Sequence, residues 1–184
     1  MTSTQSILLV AYGNPLRRDD GAGLELARRI YSVLCYSPPA TRHPSLAPRL
    51  LEVHQLVPEL VNELADPALA VLFFFDCSVQ GARGMEQEAE IQICNLQPAT
   101  PPLATRAQRA PAPPATLTHH LTPQTLLAMA SKLNGYAPPA WLVTVPGHDF
   151  GMGEGFSDPV MRLLATASQL AHRLEALVRE YNRS

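Results

Sequence analysis

Residues 8–23 of the chain, LLVAYGNPLRRDDGAG, constrain its fold more than any other stretch. The run Ile7–Ala11 is apolar without alternation, a pattern typical of a strand that is covered on both faces. The strand must end before Pro15, because proline has no N–H to donate to a neighbouring strand. Apolar residues then recur at helical spacing from Asp20 to Leu34. The stretch therefore predicts a buried strand, a tight loop and a helix.

The loop carries two adjacent carboxylates, Asp19 and Asp20, where the predicted helix begins. A carboxylate in that place suits the N-cap or the first turn, because it meets unpaired N–H groups and the positive end of the helix dipole. Capping alone therefore accounts for both residues. A role in binding a ligand is the alternative, and it depends on what the rest of the chain brings to this loop.

Strands and helices alternate along the remainder of the chain. Strands are predicted at Leu50–Leu56, Ala70–Asp76 and Ala140–Val145, and helices from Pro58, at Thr122–Leu133 (ending at Gly135) and from near Pro159 to Glu180, capped by Ser157 or Asp158. Glu88–Leu96 alternates apolar and polar residues, as an edge strand does. Gln97–Thr116 is rich in proline and alanine and predicts a long exposed loop. This order indicates an α/β fold with a mostly parallel sheet and helices on both faces.

The composition bounds the possible partners of the chain. With 184 residues, 46% hydrophobic and 16% charged, it is expected to form one globular domain. A net charge of −2 without a basic run argues against nucleic acid and anionic membrane surfaces. No secretory signal or membrane-spanning stretch is recognisable, and three cysteines without a CxxC spacing fit the reducing cytoplasm. Cys77 and Cys94 lie in apolar runs and are predicted to be buried, inert thiols.

Three polar residues are expected at the same edge of the sheet. In open α/β sheets, ligands bind outside the carboxyl ends of the strands. Asp20 follows the first strand, Asp76 ends the FFF strand, and His119 precedes a helix. Two carboxylates and one imidazole form a ligand set that suits zinc, nickel or iron with open positions. The alternatives are a helix cap, a turn residue and a surface pair of histidines, His119 and His120.

Two other kinds of site fit the residues less well. The first loop lacks GxGxxG and GxxxxGK[ST], and two carboxylates at a helix start would repel a phosphate. Ser78 lies near Asp76 but not in a GxSxG elbow, and nothing in the sequence lowers the pKa of Cys77.

The residues that carry these features resemble a known family. Gly13–Gly23, GNPLRRDDGAG, is similar to the opening signature GxGNxLxxDDGxG of the nickel–iron hydrogenase maturation endopeptidases, with Ala11 in place of the first glycine. A hydrophobic strand ending in Asp76 and the loop Thr118–Leu121 follow in the order of that family. The resemblance implies a three-layer α/β/α sandwich with a twisted sheet of five strands. We expect one such domain over residues 1–184, with one antiparallel edge strand.

The resemblance also implies a function. Members of the family remove a C-terminal peptide from the hydrogenase large subunit once nickel is in place, and Asp20, Asp76 and His119 match their metal-contacting residues. Nickel would then be presented by the precursor, although another divalent metal could occupy the site. The expected protein is a cytoplasmic, monomeric endopeptidase of the aspartyl or metal-dependent type, whose partner is the large-subunit precursor.

Other residues of these motifs receive supporting roles. Gly13, Asn14 and Gly21 would shape the loop that holds Asp20, with Asp19 as a cap or a support. The loop Gly147–Gly155 suits a lid or a substrate-contacting turn, in which His148 and Asp149 are read first as turn residues and second as ligands.

Two rival functions use the same chain differently. A nickel-sensing or docking protein would bind the precursor through the same three residues without cutting it. A nucleotide- or nucleoside-binding enzyme on a similar α/β scaffold is the second rival.

Overall fold

The computed structural model describes residues 5–36, 46–79, 90–97 and 121–181. Its strands are β1 (Gln5–Tyr12), β2 (Leu46–Val53), β3 (Leu69–Ser78), β4 (Gln92–Leu96) and β5 (Ala140–Pro146). Its helices are α1 (Ala22–Tyr36), α2 (Val61–Leu64), α3 (Pro123–Asn134), α4 (Asp158–Leu164) and α5 (Ala167–Tyr181). Short 3-10 turns cover Arg18–Gly21 and Pro58–Leu60.

The strands form one five-stranded sheet in the order β2-β1-β3-β5-β4. All neighbours are parallel except β4, which pairs antiparallel with β5 at the edge. The predicted α/β fold with a mostly parallel sheet and one antiparallel edge strand is confirmed. β2, the next strand in sequence after β1, lies on one side of β1, whereas β3 lies on its other side. The strand order therefore reverses between β1 and β3. A crevice for ligands is expected above the carboxyl ends of these two strands.

Helices cover both faces of the sheet and bury two separate cores. Successive residues of a strand point to opposite faces, so Leu9 and Phe73 pack against α1, α4 and α5, whereas Leu8 and Phe74 pack against α2 and α3. The three phenylalanines of β3 are at most 1% exposed. Burying each of them stabilises the fold by roughly 1.5–3 kcal/mol. The predicted three-layer arrangement is therefore present, and it fixes β1 and β3 rigidly in the centre.

Several predicted boundaries change in the structure. β2 lies four residues earlier than the alternation of Leu50–Leu56 indicated, because its register is set by parallel pairing with β1. The helix predicted from Pro58 consists of a 3-10 turn followed by the single turn α2. Thr122, predicted as the first residue of its helix, is instead the N-cap of α3 and accepts the N–H of Thr125 through its hydroxyl. Gly135 ends that helix at φ 70°, as predicted.

The single helix predicted from Pro159 to Glu180 is wrong. It is divided into α4 and α5 because the N–H and hydroxyl of Thr166 both donate to the carbonyl of Leu163, at 3.0 and 2.7 Å. A hydroxyl that bonds back to the backbone competes with the regular helical ladder. The prediction that Cys94 is buried is also wrong, since it lies exposed on the edge strand, whereas Cys77 is buried.

Two further predictions concern the surface of the chain. Residues 98–116 of the predicted long loop lie outside the described residues. Among the described helices, none combines the length and the apolar character that crossing a membrane requires.

Candidate functional site

Asp20 reaches the carboxyl edge of the sheet through a compact loop, residues 13–21, called the first loop below. Its N–H donates to the carbonyl of Arg17 at 3.1 Å within the 3-10 turn. Its carboxylate Oδ2 accepts the backbone N–H of Asn14 at 3.1 Å. Asp20 therefore braces the loop that carries it, and no described residue bonds to its Oδ1 atom. Both acids lie in the first turn of the 3-10 helix that leads into α1, which is one of the two predicted places, and Arg17 takes the N-cap position.

Asp76 lies on the neighbouring strand β3, two positions before the strand's last residue, Ser78. The strand runs on to Ser78, because Cys77 and Ser78 still pair with Val145 and Pro146 of β5. The predicted strand end at Asp76 is therefore two residues too early. The Asp76 carboxylate accepts the N–H of Cys77 at Oδ1 (2.8 Å) and the hydroxyl of Tyr12 at Oδ2 (3.1 Å).

The electrostatic environment of Asp76 favours its protonated form. Burial is the main cause that raises its pKa, hydrogen bonds from Tyr12 and Cys77 oppose the rise, and the negative charge of Asp20 adds to it. Gly23, three residues after Asp20, packs against the backbone of Asp76, so both acids lie at the carboxyl edge of the sheet. A cation placed between them would relieve both the burial penalty and the mutual repulsion.

Asp19 has the opposite environment from Asp20 although the two are adjacent in sequence. It is 0% exposed, and its carboxylate accepts four hydrogen bonds of 2.7–2.9 Å from the N–H groups of His148, Asp149 and Ser157 and from the Ser157 hydroxyl. Burial acts to raise its pKa, but the bonds from Ser157, Asp149 and His148 outweigh burial and lower the pKa. Asp19 is thus a fully buried, ionised carboxylate that links its own loop to residues 148–157.

The partners of Asp19 belong to the glycine-rich segment 147–157, called the second loop below. Backbone bonds also join the two loops: the N–H of Gly153 donates to Leu16 at 2.9 Å, and the N–H of Arg18 donates to Gly153 at 3.2 Å. The Arg18 guanidinium pairs with Asp149 at 2.5 Å. The second loop is therefore anchored to the first, which argues against a lid that opens by itself. Contact of this loop with a substrate stays a prediction.

The reading of His148 and Asp149 as turn residues agrees with their contacts. Asp149 accepts the N–H of Gly151 at Oδ1 (2.9 Å), as the first residue of an Asx turn does. His148 is exposed, and its backbone N–H faces Asp19.

Two glycines allow close contact between backbone segments around Asp20 and Asp76. Gly13 has φ 142°, and a Cβ on it would lie 2.2 Å from the carbonyl oxygen of Asp20, so no other residue fits there. A Cβ on Gly23 would lie 3.0 Å from the Cα and N atoms of Asp76. Gly23 thereby lets the start of α1 pack directly on β3 beside the carboxylate. Gly13 thus permits the turn of the loop that carries Asp20, and Gly23 permits the close packing beside Asp76.

Cys77 does not act as a nucleophile in this arrangement. Its thiol is 8% exposed, and its pKa is raised by burial and then by the charges of Asp76, Asp19 and Asp20. The thiolate is therefore disfavoured, which agrees with the sequence-based argument against a cysteine protease.

The proposed metal ligands are placed only in part. Asp20 and Asp76 lie at the carboxyl edge, while His119 and His120 lie outside the described residues. Within the four described ranges, no three His, Cys, Asp or Glu side chains are arranged to hold a metal ion. The described part of the site therefore holds two carboxyl groups, those of Asp20 and Asp76, and their role as metal ligands stays a prediction. Tyr12 is a member of the site that the sequence did not reveal, because its contact depends on the register of β1 against β3.

The fold has clear counterparts among solved structures. The NiFe hydrogenase maturation protease HycI from Thermococcus kodakarensis KOD1 is 20% identical, with a TM-score of 0.58 over 96% of this chain and 93% of that one. The hydrogenase maturating endopeptidase HybD from E. coli is 19% identical, with a TM-score of 0.55 over 96% and 94% of the two chains. HybD from T. kodakarensis is 17% identical, with a TM-score of 0.57 over 92% and 99%. No protein-family model and no curated protein matches the sequence. The comparisons show that the chain has the fold of these proteases.

Proposed function

We propose that this protein is an endopeptidase that removes the C-terminal extension of a nickel–iron hydrogenase large-subunit precursor after nickel insertion. The observation that carries the proposal is the pair of neighbouring carboxylates, Asp20 and Asp76, at the reversal of strand order in a fold shared with hydrogenase maturation proteases. Nickel is part of the substrate in this reaction. Asp20, Asp76 and His119 recognise it while the precursor supplies its remaining ligands.

The place of His119 in the chain agrees with this ligand set. Residues 135–139 are all that separate α3 from β5, so the helix runs antiparallel to the strand and begins toward the carboxyl edge of the sheet. His119 precedes that helix by four positions in sequence. Two carboxylates and an imidazole suit nickel and other borderline divalent ions, and an incomplete set suits a metal that arrives with its own ligands.

Cleavage adds water across one peptide bond. The water oxygen attacks the carbonyl carbon, its proton passes to a carboxylate, the C–N bond breaks, and the departing amine takes up the proton. Asp20 and Asp76 are the carboxylates at this edge of the sheet to which we assign the proton transfer. Anchoring of the precursor through nickel would hold the scissile carbonyl in place, which converts an encounter into an intramolecular step.

The test follows the mass of the precursor's C-terminus. The purified chain is mixed with nickel-loaded and with nickel-free precursor, and mass spectrometry records loss of the extension. Loss is expected only from the nickel-loaded form, and Asp20→Asn, Asp76→Asn and His119→Ala should each abolish it. Glu59→Gln, which changes an exposed carboxylate outside both loops, is the matched control and should cleave normally.

Two other outcomes would identify the rival functions. Binding of the nickel-loaded precursor without mass loss would favour a sensor or docking protein. Tight magnesium-dependent nucleotide binding in calorimetry would favour a nucleotide enzyme, although the acidic first loop repels phosphate. We further propose that the protein works in the cytoplasm as a monomer, which light scattering of the purified chain and of its mixture with precursor would test.

A further inference from the structure

Tyr12 is the last residue of β1 and lies beside Asp76 of β3 on the same face of the sheet. The register pairs Ala11 with Phe75, so the next residues of the two parallel strands are adjacent. The ring of Tyr12 packs against the core under α2 and α3, and its hydroxyl emerges at the site to donate to Asp76 Oδ2 at 3.1 Å. Burial and the neighbouring Asp76 raise the pKa of Tyr12, so the phenol keeps the proton that it donates.

The two hydrogen bonds on Asp76 fix the plane of its carboxylate. Rotation about the last torsion of an aspartate is soft, so an unbonded carboxylate samples a broad range of orientations. The N–H of Cys77 holds Oδ1 and the hydroxyl of Tyr12 holds Oδ2, which leaves each oxygen with further lone-pair capacity. Among the described residues, Tyr12 alone bonds to Asp76 through a side chain, so its bond is the one that a substitution can remove.

We propose that Tyr12 is a positioning residue, which holds the Asp76 carboxylate in the orientation that meets nickel. This inference rests on the proposed function, since it assigns Tyr12 a part in recognising the nickel of the precursor. Hydrogen bonds to the ligands of a metal typically set its affinity by a factor of about 10–100. Tyr12 touches neither metal nor substrate in this arrangement and acts through Asp76.

The experiment compares Tyr12→Phe with the wild type and with Tyr136→Phe. Phenylalanine keeps the packing of the ring and removes the hydroxyl alone, and Tyr136 is an exposed tyrosine on a described segment away from the site. Calorimetry of the full chain with Ni²⁺ gives the affinity and the number of sites, and cleavage of nickel-loaded precursor gives kcat and KM. Circular dichroism confirms that each variant is folded.

In Tyr12→Phe we expect Ni²⁺ affinity to fall about 10–100-fold with unchanged stoichiometry, and KM for the nickel-loaded precursor to rise. A variant that merely loses folded protein would lower stoichiometry and kcat and leave affinity and KM unchanged. Tyr136→Phe should match the wild type.

The outcomes separate the two proposals. Wild-type affinity and KM in Tyr12→Phe, with cleavage intact, overturn the role of Tyr12 and leave the proposed function standing. A wild type that binds Ni²⁺ but does not cleave overturns the proposed function, and the affinities still decide on Tyr12. A wild type that neither binds nor cleaves overturns both.

Discussion

Ser157 donates twice to the carboxylate of Asp19, once from its backbone N–H and once from its hydroxyl, at 2.7 Å each and across 138 positions of the chain. The hydroxyl would otherwise be available to cap α4, at whose N-terminus Ser157 stands. The Ser157 hydroxyl therefore makes no cap to α4 and bonds instead to the distant Asp19. Asp19 is consequently a structural residue whose contribution to stability can be measured apart from Asp20.

We expect Asp19→Ala to destabilise the protein by roughly 2–4 kcal/mol, because it leaves buried donors of the second loop without a partner. Urea unfolding at neutral pH measures the free energy of unfolding. The matched control is Asp158→Ala, which removes an exposed carboxylate one residue beyond Ser157 and should change stability by less than about 0.5 kcal/mol. Equal stability of the two variants would contradict the structural role of Asp19.

The stabilisation by Asp19 should also depend on pH. Its pKa in the folded protein lies below the ordinary value of 3.8, so the unfolded chain takes up a proton at higher pH than the folded one. The stabilisation is complete above about pH 4 and is lost as the pH falls through the folded pKa. The difference in unfolding free energy between wild type and Asp19→Asn should therefore be larger at about pH 6 than at about pH 3. A difference that stays constant would show that the folded pKa is not lowered.

Gly13→Ala should disrupt the first loop, whereas Gly135→Ala should not. Both glycines have positive φ, 142° and 70°, but a Cβ on Gly13 meets the Asp20 carbonyl and one on Gly135 meets nothing within 4 Å. We expect a loss of roughly 2–4 kcal/mol and of Ni²⁺ binding for Gly13→Ala, against about 1 kcal/mol and no change in binding for Gly135→Ala. Thermal unfolding and calorimetry measure the two effects, and similar losses in both variants would refute the close contact.

Asp76→Asn should abolish nickel recognition without destabilising the fold. The folded pKa of Asp76 is raised above 3.8, so its stability contribution is greatest at low pH and declines as the pH rises through the folded pKa. At pH 7 the buried charge is a cost, and asparagine removes it while its carbonyl still accepts the Cys77 N–H. The melting temperature at pH 7 should equal or exceed that of the wild type. A value lower by more than about 4 °C would mean that the ionised carboxylate stabilises the fold.

Cys77 should resist alkylation in the native protein. Burial and three neighbouring carboxylates raise the pKa of its thiol, whereas Cys94 lies exposed on β4. Iodoacetamide at pH 8 followed by peptide mass mapping should label Cys94 within minutes and Cys77 only after unfolding in urea. Cys77→Ala should retain cleavage of the precursor, and complete loss of cleavage in that variant with its fold intact would reopen the cysteine mechanism.

The pattern of hydrophobic residues predicted the central strands of the sheet, because each of these strands is buried on both faces. The apolar runs at Ile7–Ala11, Ala70–Asp76 and Ala140–Val145 all lie in strands of the sheet. The rule that sites form at the carboxyl ends of parallel strands also predicted Asp20 and Asp76 at the same edge, since it needs only strand direction and strand order. Their part as metal ligands, together with that of His119, stays a prediction.

The contacts that hold the carboxylates could not be read from the sequence. The bond from Tyr12 to Asp76 requires the register of β1 against β3, and one residue of slip would turn Tyr12 to the opposite face. The partners of Asp19 lie 129–138 positions away, where local propensity predicts only a loop and a helix cap. The division between α4 and α5 at Thr166 depends on whether its hydroxyl bonds to solvent or to a backbone carbonyl.

The distance in sequence between Asp19 and its donors has a consequence for the order in which the protein matures during its own synthesis. A nascent chain that ends before β5 already contains Asp20 and Asp76, but it lacks every donor that ties down Asp19. The first loop then lacks its bonds to the second loop, although the bonds within it and those on Asp76 can already form. A chain must therefore be translated through Ser157 before all four of these donors can hold Asp19 and join the first loop to the second.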